Sequence, residues 1–205
     1  MTRILFVSAA LTLLSGCVST ASYVPPQAYE PVINSVEIDT PRSDAWKKAV
    51  PALARQFFVI NTIDQSSGLI NISYSGDPEM YVDCGIATVE TPGGEPFRFP
   101  YAASQSFAFM LIDPYHVTRK VTLDGRVNLV FEEVAATRTR VTASTRYVLT
   151  RVMDAFSPGK RPINLSGTVS FNTNQSGSFG SSQDGQNVIC SPTGKLERQL
   201  LDLLK

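Results

Sequence analysis

Residues 121–152 read VTLDGRVNLVFEEVAATRTRVTASTRYVLTRV, and this stretch decides the fold class. Val127, Leu129 and Phe131 alternate with Asn128, Val130 and Glu132, the period of a strand with one buried face. Beyond Ala135-Ala136-Thr137 the pattern resumes. Val141, Ala143, Thr145, Tyr147 and Leu149 share one face, while Ser144, Arg146 and Thr150 lie on the other. Asp124-Gly125, between Leu123 and Val127, is a two-residue hairpin signal, so a turn is expected there.

Working outward, Asn164 to Phe171 reads as a further strand, and the Gly/Ser/Gln/Asn-rich stretch to Asn187 as a mobile loop. Thr193 offers an N-cap, after which Leu196, Leu200, Leu203 and Leu204 form the stripe of a closing helix. Towards the N-terminus, Phe57–Ile63 and Leu69–Tyr74 are strands joined by the turn chemistry of residues 64–68. A helix precedes them, capped by Ser43, with Asp44 in its first turn and an apolar stripe of Trp46, Ala49, Val50, Leu53, Ala54 and Phe57. Pro51 falls inside it, where the missing N–H costs about 3 kcal/mol, so a kink or a break near Val50 is expected. Short strands are expected at Ser35–Asp39 and Tyr81–Cys84. The sum is an α+β fold, an antiparallel sheet packed against one early helix and one C-terminal helix.

The N-terminus has a separate character. Arg3 precedes eleven uncharged residues, Ile4 to Leu14, too few for the roughly 20 that a spanning helix needs but suited to a secretory signal. Leu14-Ser15-Gly16-Cys17 follows, and it resembles the bacterial lipobox. That resemblance implies cleavage before Cys17, a diacylglycerol on its sulfur and a further acyl chain on the new N-terminus. Two or more chains give stable membrane anchoring. Val18 stands where an aspartate would resemble an inner-membrane retention signal, so an outer-membrane, periplasm-facing location is expected. Residues 1–16 then form the signal peptide, 17–33 a proline-containing lipidated tether, and 34–205 a single domain.

The chain carries 18 basic and 18 acidic residues; Arg3 is the one charge within the signal, so the remainder is near neutral. That balance gives no nucleic-acid footprint and no polybasic attraction to anionic lipid. With Cys17 assigned to lipid, Cys84 and Cys190 remain as an even pair. A disulfide between them is expected, closing a loop for which chain entropy gives roughly 4–5 kcal/mol; two free buried thiols are the alternative. A single histidine and the absence of CxxC spacing give no metal site.

No catalytic constellation is legible. His116, in Asp113-Pro114-Tyr115-His116, lacks a GxSxG partner for nucleophilic catalysis. Glu132 and Glu133 point to opposite faces of a strand, and nothing in the sequence converges Glu79 with Asp83. Gly93-Gly94 and Gly177-Ser178-Phe179-Gly180 do not follow the phosphate-loop pattern, and no cofactor is implied. Trp46 is a core residue by its place on the stripe. Phe97, Phe99 and Tyr101, with Phe107 and Phe109 beyond, either present rings to a partner or lipid, or cover the sheet.

Asp44-Ala45-Trp46 opening a helix and Ser66-Ser67-Gly68-Leu69-Ile70 turning a hairpin are similar to helix-grip domains of bacterial envelope lipoproteins, in the style of the lipoprotein C subunit of the outer-membrane β-barrel assembly machinery. The resemblance implies a sheet gripping a helix and a non-enzymatic role in an envelope assembly, with the membrane and an envelope protein as partners. The alternative function is a carrier, which requires an apolar cavity of roughly 300 Å³ or more lined by residues such as Phe57, Phe131 and Tyr147.

Overall fold

The computed structural model describes residues 20–27, 31–56, 58–90, 93–104, 107–112, 115–180 and 187–205. In chain order the elements are β1 (Thr20–Val24), β2 (Ser35–Ile38), α1 (Arg42–Ala54), β3 (Val59–Asp64), β4 (Leu69–Gly76), a 3-10 turn at Pro78–Met80, β5 (Val82–Asp83) and β6 (Ile86–Glu90). There follow β7 (Phe97–Pro100), β8 (Phe107–Ile112), β9 (Tyr115–Ala135), β10 (Arg138–Phe156), β11 (Ile163–Asn172), β12 (Gly177–Phe179), β13 (Val188–Pro192) and α2 (Lys195–Asp202). The fold is therefore mostly antiparallel sheet with two helices.

The spine is one hairpin. β9 has 21 residues and β10 has 19, several times the usual strand length, so the pair extends for about 60 Å. Each edge is used twice. On the β9 side β4 pairs with residues 123–130 and β8 with residues 115–119; on the β10 side β2 pairs with residues 139–142 and β11 with residues 146–155. With β3 outside β4, these strands make a seven-stranded sheet. The other described strands form two three-stranded sheets, β1-β6-β7 and β12-β13-β5.

The expected turn at Asp124-Gly125 is absent: both residues lie inside β9, and the chain reverses at Ala136-Thr137. Gly125 pairs with Tyr147 on one side and Tyr74 on the other, and Leu196 of α2 stands 3.7 Å from where a Cβ would be. The continuous ladder with β10 outweighs a local turn preference, and the small residue lets the helix pack closely.

Three further expectations change in detail. α1 runs unbroken through Pro51, its N-cap is Pro41 rather than Ser43, and no side chain caps it. Pro51 is on the exposed side, while Ala45, Trp46, Ala49 and Leu53 bury the opposite stripe, and that packing holds the helix together. α2 starts from Gly194 in the left-handed conformation, with Thr193 one residue before the cap. The loop expected up to Asn187 contains β12, where a Cβ on Gly177 would come within 2.6 Å of Val169; residues 181–186 lie outside the described set.

Part of the stretch read as a tether is folded onto the domain. Thr20–Val24 pair with β6 from Thr20↔Glu90 to Val24↔Ile86, the Val32 N–H donates to Asn174 Oδ1, and the Asn34 amide donates to the Ala143 carbonyl. Within residues 17–33, Thr20–Val24 are thus bound to the domain by a backbone ladder and Val32 by a side chain. Cys17 and the signal segment lie outside the described residues.

Candidate interaction surface

One face of the β9–β10 spine forms the floor of the core, and its rows are covered in sequence. Nearest the Ala136-Thr137 turn, Phe131 meets Trp46 of α1 edge to face, with ring centroids 5.3 Å apart. Midway, Tyr147 stacks on Phe171 at 5.4 Å, and its hydroxyl contacts both carboxylate oxygens of the fully buried Glu197 at 2.8 Å. The Thr173 hydroxyl donates to the same carboxylate at 2.8 Å. A buried carboxylate needs such donors, so these contacts fix how α2 sits on the sheet. Of the residues named for a carrier cavity, Phe131 contacts Trp46, Tyr147 contacts Phe171 and Glu197, and Phe57 is outside the described residues.

Cys84 and Cys190 form the expected disulfide. It joins the residue after β5 to β13, both within the main core cluster. Gly85 beside it has φ +75°, and an added Cβ would meet the Val24 carbonyl, so β1, the disulfide and β6 are tightly apposed.

Further along the spine the cover is the small β1-β6-β7 sheet. Here the structure separates the three aromatic candidates. Phe99 is 4% exposed and packs with Ala87 and Val89, Tyr101 is half-buried, and Phe97 is 42% exposed with its ring 5.4 Å from Phe99. Tyr101 is clamped by two arginines of the spine. Arg119 donates to its carbonyl and lies over its ring at 4.2 Å, while Arg151 Nη1 donates to its hydroxyl at 2.5 Å. Arg119 is almost wholly buried, and desolvation pulls its guanidinium down to about 10. Its Nε and Nη1 carry no hydrogen bond among the described residues. Besides its bond to the Tyr101 carbonyl, the guanidinium lies against the rings of Phe99 and Tyr101, which favour the cation.

Among the described residues the cover ends past Arg151. Burial in β10 alternates strictly from Thr139 to Leu149 and then fades. On the same face Met153 lies opposite Leu165 and Ala155 opposite Ile163. Leu165 is 44% and Ile163 36% exposed; on the reverse face Phe156 is 57% and Val152 39% exposed. Among the described strands β11 is terminal in its sheet, so no described strand pairs with the backbone groups of its outer side, next to these side chains. The sequence signal for this surface existed in the β11 alternation, but it reads the same as core.

The remaining candidates do not converge. His116 is exposed opposite Phe156, and Glu132 and Glu133 are exposed opposite Arg140 and Thr139. Asp83 accepts the Gly85 N–H. Among the described residues no three His, Cys, Asp or Glu side chains gather, and no helix is long and apolar enough to cross a membrane. In comparisons with known proteins, no family model matches the chain, and no curated protein or solved structure matches it.

Proposed function

We propose that this chain is an envelope lipoprotein, acylated on Cys17 at the outer membrane and facing the periplasm, that acts as a non-enzymatic interaction module. The observation that carries the protein-binding part is the uncovered end of β10–β11, where Val152, Phe156, Ile163 and Leu165 are exposed beside an open strand edge. An envelope protein that adds a strand to β11 satisfies the backbone edge and buries Ile163 and Leu165 together. The lipid-anchor part rests on the Leu14–Cys17 sequence. The helix-grip description belongs to the same proposal: α1 and α2 both lie against one face of a long antiparallel sheet, as that architecture requires.

Affinity capture of the full-length protein from detergent-solubilised envelope tests the reading. The expected result is one consistent protein partner whose recovery is lost in the pair Phe156→Ser and Leu165→Ser. A partner recovered equally with that pair removes the assigned surface, and no partner under several detergents removes the function.

A further inference from the structure

We propose that the end of the small sheet where Thr20, Glu90 and Phe97 lie rests on the lipid surface; this rests on the acylation of Cys17 proposed above. The argument is one of reach. Thr20 is already paired with Glu90 in β1. Three residue steps separate Thr20 from Cys17, and a fully extended chain covers at most about 11 Å over that interval. The polar layer on each side of the hydrocarbon core is only about 5–7 Å thick. An acylated Cys17 therefore holds the Thr20 end of β1 at the bilayer surface.

The register then determines what else is there. Thr20 sits beside Glu90, the last residue of β6, and the next row is Ala21, Val89 and Phe97. Adjacent strands are about 4.8 Å apart, so Phe97 is two strand spacings from Ala21. Gly93 and Gly94, in the turn between β6 and β7, are at this same end, and a Cβ on Gly93 would meet nothing within 4 Å. Phe97 and Phe99 share a strand face, yet Phe99 is buried against Ala87 and Val89 while Phe97 is exposed. Of this aromatic pair, Phe97 is thus the exposed member, at the end where the acyl chains enter. A ring with one side on protein and the other at headgroup depth is the ordinary interfacial use of an aromatic residue.

The same geometry orients the rest of the molecule. The small sheet is held to the spine through Tyr101, clamped by Arg119 and Arg151. Contact at Phe97 thereby fixes the spine relative to the bilayer, instead of leaving the domain to swing on a tether.

The test uses the full-length acylated protein in phosphatidylethanolamine–phosphatidylglycerol vesicles, with or without brominated chains. Phe97→Trp and, separately, Phe156→Trp are compared with the parent, whose Trp46 is buried. The expected result is a blue-shifted emission from residue 97 that is lost with brominated lipid, and an unaltered emission from residue 156. Membrane-bound protein whose residue 97 is not quenched overturns the inference while leaving acylation intact, as does equal quenching at residue 156. Acyl labelling that persists in Cys17→Ser overturns the anchor instead, so the two failures are distinguishable. Phe97→Tyr, also at an exposed position, gives a second check: it should retain protection of the β6–β7 backbone from hydrogen exchange on vesicle binding, while Phe97→Ser should lose it.

Discussion

The two ends of the β9–β10 hairpin have the same strand chemistry and opposite fates. Near the Ala136-Thr137 turn, Val141, Ala143, Tyr147 and Leu149 are covered by α1, α2 and the rings that accompany them, and none is measurably exposed. At the far end Met153, Ala155, Ile163 and Leu165 continue the same face with no described helix above them. Alternation of apolar and polar residues specifies which face of a strand is apolar. Whether that face is covered depends on where distant segments dock. The covered end provides stability, and the less covered end is where we propose that a partner binds.

Variants at the covered end should cost most. Replacing Cys84 and Cys190 by serine removes a crosslink across 106 residues and should lower unfolding free energy by roughly 4–5 kcal/mol on chain-entropy grounds. Denaturant titration measures this, and a loss below about 1 kcal/mol would show that the crosslink does not stabilise the covered end. Leu149→Ala empties a fully buried position and should cost about 2–5 kcal/mol. The matching Leu165→Ala should cost under about 1 kcal/mol; equal costs would erase the distinction between the ends.

Tyr147→Phe probes the seat of α2. It withdraws a hydroxyl from Glu197 and leaves that buried carboxylate with Thr173, for an expected loss of about 1–3 kcal/mol. The smallest effect is at the β3–β4 turn. Asp64 accepts hydroxyl bonds from Ser66 at 2.6 Å and Ser67 at 2.7 Å, which hold its carboxyl down to about 2 from an ordinary 3.8. A depressed folded-state value stabilises above the ordinary value and loses that contribution as pH falls from about 4 to 2. An NMR titration should therefore find Asp64 ionised at pH 3, and Ser66→Ala should raise its midpoint; an unchanged midpoint would contradict the assigned cause.

The strands of the spine were legible because their period is strict and one face is buried for most of their length. Asp124-Gly125 misled because a turn signal is local, whereas the ladder from Thr118 to Phe131 is cooperative. Glu197 was hidden beside Leu196 and Leu200, since a glutamate in the first turn of a helix ordinarily satisfies the dipole from the solvent side. Arg119 was hidden likewise: only the folded arrangement brings the rings of Phe99 and Tyr101 over its guanidinium. The cysteine pairing was legible from parity once Cys17 was set aside. The proposed interaction surface was not, because Ile163 and Leu165 have the spacing of core residues.

Site-specific photo-crosslinking in intact envelope tests the central claim most directly, with the photoreactive residue placed at Leu165 and, as a control, at the exposed Val59 of β3. The account predicts a discrete adduct with one protein from position 165 and none from position 59. No adduct from position 165, in protein that is folded and membrane-bound, would contradict it.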